Sequence, residues 1–201
     1  MKTKRIFDVI LALFGLIILS PLFLVIFILV MLDSKGGALY RQVRVGKNME
    51  DFQLHKFRTM YVHASDQNLI TIGSHDARIT RVGCWLRKYK LDELPQLINI
   101  LKGHMSFVGP RPEVRKYVNM YNEEQQKVLS VKPGITDWAS IQFYNENQLL
   151  EDSGDPESYY IHQLFPLKLI QNLRYINHSN ILIDIKIILL TLKRVVSSLD
   201  K

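Results

Sequence analysis

The run from Val9 to Leu32, which reads VILALFGLIILSPLFLVIFILVML, decides how this chain must fold. No charged residue lies inside it, and Asp8 and Asp33 bracket it. At a rise of about 1.5 Å per residue, one continuous helix over this run would reach roughly 36 Å. A bilayer has a hydrocarbon core of about 30 Å, so the run is long enough to enter a membrane deeply.

A secretory signal peptide is the first alternative, because Lys2, Lys4 and Arg5 give the chain a basic start. The apolar run is longer than the core of a signal peptide, however, and no small-x-small cleavage site follows it. The sequence therefore favours a membrane segment that is retained.

Ser20-Pro21 lies at the middle of the run, and its proline removes a backbone donor and crowds the preceding turn. A tolerated kink in a spanning helix is one interpretation. The other is a helix that breaks, dips into one leaflet and returns to the same side. Basic residues flank both ends, with Lys35 and Arg41 among those that follow, whereas a spanning helix usually has a basic bias on its cytoplasmic side only. Both interpretations remain open at this point.

The composition excludes several classes of protein and favours one kind of partner. The chain has 201 residues, 47% of them hydrophobic and 22% charged, which excludes disorder as its main state. Cys84 is the one cysteine, so a disulfide scaffold and a multi-cysteine zinc site are excluded. The formal net charge of +7 favours acidic partners, which include nucleic acid, an anionic lipid surface and phosphate-bearing small molecules.

Beyond the apolar run, the patterns predict a compact and mainly helical domain of α+β class. Alternation over 39–45, followed by a second extended run over 52–57, predicts a short β-hairpin. Apolar spacing predicts one helix that Asp76 caps and another over 94–101, which Gly103 stops and for which Asp92 stands at the N-cap. A third helix is predicted over 113–129, and 152–166 is predicted to be a loop with a short helix.

The C-terminal segment 180–198 is dense in Ile, Leu and Val with charged residues between them, and Ser179 or Asn180 can cap it. This pattern is typical of a packed core helix. It is also typical of an amphipathic helix in the membrane interface, with its Lys and Arg side chains reaching toward the headgroups. The predicted organisation is thus a membrane helix over 1–34 and a second unit over 35–201 that includes this helix.

Three short segments are the candidates for chemistry. Lys56-Phe57-Arg58-Thr59-Met60 places two cations at the end of a strand, and Leu91-Asp92-Glu93-Leu94-Pro95-Gln96 places adjacent carboxylates between two helices. In Gly109-Pro110-Arg111-Pro112-Glu113, two prolines restrict the backbone around one cation.

Each of these features has an ordinary structural interpretation, since Asp is among the best N-caps and Glu suits the first turn of a helix. Together, however, the segments suit phosphate chemistry. Two carboxylates can hold a divalent metal, and one of them can attack phosphorus. Lys and Arg can spread the charge of a diphosphate.

The same segments, together with Lys132-Pro-Gly-Ile-Thr, resemble the bacterial sugar transferases known as monotopic phosphoglycosyl transferases. The central block 91–113 is contiguous, and the resemblance extends from Ser20-Pro21 to the stretch that begins at Asp184, which is nearly the whole chain.

The resemblance implies an enzyme that moves a sugar 1-phosphate from a UDP-sugar to undecaprenyl phosphate and releases UMP, as the first membrane step of a surface glycan or glycoprotein pathway. It implies that Asp92 is the nucleophile and forms a covalent phosphosugar intermediate. It also implies that Glu93, with Asp92 beside it, binds Mg²⁺. Arg87 and Arg111 match phosphate-binding positions, and Lys56 and Arg58 are further candidates.

The resemblance also implies a setting. The break at Ser20-Pro21 would make the helix re-enter, so that the catalytic domain sits on the cytoplasmic face of the bacterial inner membrane, in contact with lipid. Both a monomer and a homodimer remain open. No nucleic acid is expected as a partner. The competing hypothesis is a non-catalytic module that docks on anionic lipid.

Two stretches depart from the family pattern. Asp137 stands where most members carry glycine, and Asn172-Leu173-Arg174-Tyr175 replaces a segment that contains Asp in many members. The stretch 143–173 is also longer than in the smallest members, and it is a candidate for shaping the choice of donor.

Overall fold

A computed structural model describes residues 2–62 and 76–197. Two helices form the N-terminal part, α1 over Lys2–Ile18 and α2 over Ser20–Asp33, and they meet at an angle of 63°. Pro21 lies in the first turn of α2, where its missing N–H costs nothing, and the Ser20 hydroxyl donates to the Ile17 carbonyl at 2.8 Å. The predicted break at Ser20-Pro21 is therefore confirmed.

No single helix in the described ranges is both long and apolar enough to cross a bilayer, although the bent pair meets that standard when its two halves are taken together. One side of the pair packs on the domain, where Ala12 and Ile26 are fully buried. Much of the other side is uncovered, and Leu32 is 80% exposed.

The predicted hairpin is confirmed. Strand β1, Leu39–Val45, pairs antiparallel with β2, Asp51–Phe57, so β2 begins one residue earlier than expected. The buried face of β2, carrying Phe52 and Leu54, packs against α1 and against Leu97 and Ile100 in one apolar cluster.

Helix α3, Arg81–Lys88, is confirmed, but its cap is not Asp76. The carboxylate of Asp76 instead accepts hydrogen bonds from the backbone and side chain of Arg78. Thr80 is the N-cap and accepts from the Gly83 N–H at 3.0 Å.

Helix α4, Gln96–Lys102, ends as predicted at Gly103, whose φ of +86° suits the left-handed C-terminal position. The prediction that Asp92 caps α4 is wrong, since Pro95 occupies the N-cap position. The fixed φ of proline suits the start of a helix, and Asp92 lies earlier, in a 3₁₀ turn over Leu91–Glu93.

The sequence patterns did not predict a second small sheet. Strands β3, Ser106–Val108, and β4, Gly134–Thr136, pair in parallel. A Cβ on Gly134 would lie 2.2 Å from the backbone nitrogen of Gly109, so only glycine allows the two chains to approach this closely.

The helix predicted over 113–129 is wrong as a single element. The chain forms α5, Arg115–Val118, then α6, Glu123–Gln126, and then a 3₁₀ turn over Lys127–Ser130. Asn122 and Gln125 form a capping box that starts a new helix, which explains the interruption.

The remaining elements are helical: α7, Trp138–Gln142; α8, Glu146–Glu151; α9, Pro156–Tyr159; α10, Phe165–His178; and α11, Ile181–Ser197. A π-type turn over Tyr160–Leu164 joins α9 to α10, so the loop predicted over 152–166 is shorter than expected. The aromatic rings of Tyr117, Tyr121, Tyr160 and Phe165 form the centre of the core on this side.

Helix α11 matches the prediction over 180–198, except that residue 198 lies outside the described residues. Asn180 caps it by accepting from the Ile183 N–H at 2.9 Å. Ile187 is fully buried against the domain, whereas Leu182 and Leu189 are 78% and 60% exposed. One face of the helix is thus core and the other is open. The overall α+β description is confirmed to the extent of a mainly helical chain with small sheets.

Candidate active site

The two carboxylates of the central block lie in the short turn between α3 and α4. Asp92 and Glu93 are both 7% exposed. The turn follows Lys90, whose φ of +56° is left-handed and unusual for a residue with a side chain. This sharp change of direction places the two acidic side chains inside the protein and not on the face of a continuous helix.

Glu93 is the centre of an ion-pair cluster. Its Oε1 accepts from Lys56 Nζ at 3.0 Å and from Arg111 Nη2 at 2.5 Å, while Arg111 Nη1 lies 3.5 Å from Oε2. Lys56 comes from β2, and Arg111 comes from the segment that follows β3. The two cations hold the pKa of Glu93 well below its ordinary value although burial alone would raise it. Glu93 is therefore ionised at neutral pH.

Asp92 has the opposite electrostatic environment. Burial is the largest influence and raises the pKa of this carboxyl group, and the neighbouring charge of Glu93 raises it further. The positive charge of Lys56 acts in the other direction and lowers that pKa. A buried carboxylate next to a carboxylate that is already paired resembles the sites where enzymes tune an acid, a base or a nucleophile.

Arg87 belongs to the same neighbourhood. It lies in the last turn of α3, and its strongest favourable charge interaction is with Asp92. Burial lowers the pKa of this guanidinium group, although arginine stays charged over the physiological range. The structure thus brings together five of the sequence candidates: Lys56, Arg87, Asp92, Glu93 and Arg111.

Arg58 is not part of this cluster. Its guanidinium donates to backbone carbonyls where α2 ends, at 2.8 Å to Ser34 and 3.3 Å to Gly36, and also to Lys35. These contacts satisfy carbonyl groups of the turn that follows α2, and Nη2 also lies 3.4 Å from the Val30 carbonyl in the last turn of the helix. Arg58 therefore connects the end of β2 to the C-terminal end of α2.

Sequence reasoning missed three neighbours of the site. Arg44, on β1, donates to the Pro112 carbonyl at 3.1 Å and lies near the charges of Arg111 and Glu93. Lys90 lowers the pKa of both central carboxyl groups. Asp137 accepts the Arg111 N–H. Alternation along β1 indicated only a strand at Arg44, and no local pattern distinguishes Lys90. Asp137 stood out only as a departure from the family pattern.

The donor set suits one mode of magnesium binding. Within residues 2–62 and 76–197, no group of three or more His, Cys, Asp or Glu side chains could form a protein-only metal site. Mg²⁺ is often held by one or two carboxylates together with the phosphates of a substrate. Asp92 and Glu93 supply such a pair, because only the 3.5 Å contact with Arg111 engages Glu93 Oε2.

A buried carboxylate pair with cations from three separate elements suits the binding of phosphorylated groups. The model of the bacterial sugar transferase family matches residues 1–198, and the chain belongs to that family.

Relatives of the chain are named as sugar-phosphate transferases. The chain is 37% identical over 205 positions to an undecaprenyl-phosphate glucose phosphotransferase of Komagataeibacter xylinus, covering 98% of this chain and 36% of that protein. It is 38% identical to a UDP-glucose:undecaprenyl-phosphate glucose-1-phosphate transferase of Klebsiella pneumoniae, covering 95% of this chain and 39% of that one.

These two relatives are much longer, so the chain spans just over a third of their length. The uncharacterized sugar transferase EpsL of Bacillus subtilis (strain 168) is closer in size. It is 35% identical over 98% of this chain and 89% of its own length.

Proposed function

We propose that the chain transfers a sugar 1-phosphate from a UDP-sugar to undecaprenyl phosphate and releases UMP. The observation that carries this proposal is the buried Asp92 beside a Glu93 that Lys56 and Arg111 keep ionised. Membership of the sugar transferase family supports it, as do relatives named for transfer to undecaprenyl phosphate.

In the first step, a carboxylate oxygen of Asp92 attacks the β-phosphorus of the donor. An O–P bond to Asp92 forms, the bond from that phosphorus to the bridging oxygen breaks, and UMP leaves with the electron pair. In the second step, an oxygen of the lipid phosphate attacks the same phosphorus. Asp92 leaves as a carboxylate, and a lipid diphosphosugar is formed. Two sequential displacements predict ping-pong kinetics.

The electrostatics of the site suit this sequence. Asp92 must be ionised to attack, yet burial raises its pKa, and the positive charge of Lys56 counters that effect. The diphosphate adds negative charge next to Glu93. Arg87 and Arg111 supply delocalised cations that can spread this charge as the bond to UMP breaks.

Mg²⁺ is the cofactor of this proposal. Glu93, with Asp92 beside it, would hold the ion together with phosphate oxygens of the donor. When bound, the ion offsets diphosphate charge and makes UMP a better leaving group. Lys56 and Arg111 keep Glu93 deprotonated and therefore able to act as a ligand.

The membrane setting is part of the proposal. The uncovered apolar side of α1 and α2 and the open face of α11 would contact lipid of the bacterial inner membrane, with the 63° bend returning the chain to the cytoplasmic face. Such an arrangement holds Asp92 near the depth of lipid headgroups, where the acceptor phosphate lies. Cysteines at positions 2 and 35, in a Cys84→Ser background, should both resist labelling from the periplasm; labelling of only one would show a spanning helix.

The central experiment combines purified protein with undecaprenyl phosphate, Mg²⁺ and a panel of UDP-sugars, and measures UMP release. Asp92→Asn should abolish release, while the matched variant at the exposed Asp152, Asp152→Asn, should not. With donor but without acceptor, mass spectrometry should find a phosphosugar on Asp92. Normal turnover by Asp92→Asn would overturn the role of Asp92 as the nucleophile. Liposome binding with no UMP from any donor would instead favour a non-catalytic lipid-docking module.

A further inference from the structure

Asp137 is a fully buried carboxylate between β4 and α7. Its Oδ1 accepts from the Ser140 N–H at 2.6 Å and caps α7. Its Oδ2 accepts from the backbone N–H of Arg111 at 3.3 Å. One side chain thus joins the start of a helix to the segment that carries a cation of the candidate active site.

We propose that Asp137 is a positioning residue, which sets the location of the Arg111 guanidinium against Glu93 by fixing the Arg111 backbone. The role rests on the proposed function, because its consequence is measured on sugar-phosphate transfer. Asp137 itself is not placed in contact with the reacting groups.

The local chemistry shows what a carboxylate provides at position 137. Pro110 and Pro112 have no N–H, so the Arg111 N–H is the one backbone donor of this tripeptide. The carbonyls of the two prolines accept from the Gly134 N–H and from Arg44, and the bond from the Arg111 N–H to Asp137 adds a contact at the residue that carries the cation. The far end of Arg111 is held 2.5 Å from Glu93 Oε1, so the residue is fixed at its backbone and at its tip.

The same carboxylate connects this segment to the rest of the domain. Asp137 caps α7, and α7 packs against α10 and α11. The hydrogen bond from Arg111 to Asp137 therefore connects the Arg111 segment to these helices. A misplacement of about 1 Å can cost about 100-fold in rate when a charged group must meet a developing charge. A small shift at Arg111 would therefore be visible in turnover.

Asp137→Asn separates the two contacts of this side chain. Asn is as good an N-cap as Asp, so its one carbonyl oxygen can keep the bond to Ser140. Its NH₂ group would then face the Arg111 N–H, and two donors cannot bond to each other. Capping is retained and the link to Arg111 is lost.

Asp155 provides a matched control. It caps α9 by accepting from the Ser158 N–H at 3.1 Å, and it makes no described contact with Arg111. Asp155→Asn should leave UMP release unchanged. Asp155→Ala and Asp137→Ala each remove one cap, so the melting temperature should fall in both, but only Asp137→Ala should slow turnover.

The test is a double-mutant cycle on UMP release, with kcat and KM for the UDP-sugar measured separately. Asp137→Asn should lower kcat/KM by about 10-fold to 100-fold in the wild-type background. In an Arg111→Ala background the same change should have almost no further effect, because its route of action is gone. Losses that multiply in the two backgrounds, or full activity of Asp137→Asn, would overturn the role of Asp137. Absence of UMP release from the unmodified chain would instead overturn the proposed function.

Discussion

Removing the charge of Asp92 should raise the melting temperature of the protein, whereas removing the charge of its neighbour Glu93 should lower it. Both are buried, and Lys56 and Arg111 lie within hydrogen-bonding distance of the Glu93 carboxylate, whereas burial is the largest influence on Asp92. Glu93→Gln removes the charge that Lys56 and Arg111 share. Asp92→Asn removes a charge that burial disfavours, as the raised pKa of Asp92 shows.

The size of the loss at Glu93 follows from its two partners. Removing one partner of a buried ion pair typically costs about 3–5 kcal/mol, because the remaining charge is left uncompensated. For a chain of this size, 1 kcal/mol corresponds to about 2–4 °C of melting temperature, so Glu93→Gln should melt roughly 6–20 °C lower. Glu157→Gln is the control, since its exposed pair with Lys116 is worth about 1 kcal/mol or less.

The pH dependence distinguishes the two carboxyl groups. Glu93 has a lowered pKa in the folded state, so its stabilising contribution is complete above the unfolded value of 4.5 and is lost only as the pH falls below it. Asp92 has a raised pKa, so its cost to folding grows as the pH rises above 3.8 through the raised value. The gain in Asp92→Asn should therefore shrink as the pH falls through the raised pKa toward 3.8, while the deficit in Glu93→Gln should persist down to pH 4.5.

The assay is thermal unfolding of the detergent-purified variants, followed by intrinsic fluorescence at pH 8 and pH 5. We expect Asp92→Asn to melt above the wild type at pH 8 and Glu93→Gln to melt well below it. A decrease for Asp92→Asn, or a Glu93→Gln variant as stable as Glu157→Gln, would refute this account of the site.

Three further predictions concern neighbouring parts of the molecule. A Cβ on Gly83 would lie 2.1 Å from the Thr59 carbonyl oxygen, so Gly83→Ala should force α3 away from the segment that follows β2 and destabilise the protein by about 1–3 kcal/mol. Gly154→Ala, with nothing within 4 Å, should be harmless in the same melting assay. Arg58→Lys should lower the melting temperature by an amount equivalent to about 2 kcal/mol, because one ammonium nitrogen cannot stand both where Nη1 donates to the Lys35 carbonyl and where Nη2 donates to Ser34 and Gly36; an unchanged melting temperature would contradict this role. Lys56→Met should move the acid limb of kcat/KM for UMP release to higher pH, because Lys56 lowers the pKa of Asp92; a limb that stays in place or moves to lower pH would argue against Asp92 as the ionising group.

Elements with local signals were predictable from the sequence. The break at Ser20-Pro21 and the end of α4 at Gly103 each depend on one or two residues whose backbone preferences act within a single turn. The hairpin follows from the alternation and extended pattern of its two strands. The helix predicted over 113–129 is wrong because a local signal interrupts it. A capping box that begins at Asn122 starts a new helix there, and apolar spacing alone cannot detect such a local competitor.

The residue types of the candidate site were also predictable from local sequence, but their positions in space were not. The chemical character of Asp92, Glu93, Lys56 and Arg111 is legible in their segments, because adjacent carboxylates and cations fixed by prolines are uncommon. The same reasoning also selected Arg58, two positions after Lys56. Residues two apart in a strand face the same side of a sheet, so a continuing strand would place Arg58 beside Lys56. Arg58 instead follows the last residue of β2, where its side chain reaches the end of α2, and alternation no longer applies.

By itself, then, the sequence determined the apolar run with its break, the hairpin, the helices α3, α4 and α11, and the chemistry available in three segments, because backbone preference and hydrophobic period act over a few residues. Only the tertiary structure decided which charges meet. Lys56 and Arg111 lie 37 and 18 positions from Glu93 in the chain, and Asp137 lies 26 positions from Arg111. Ion pairs and buried hydrogen bonds form through space once the helices and strands have packed, and no periodicity along the chain records which partner a side chain will reach.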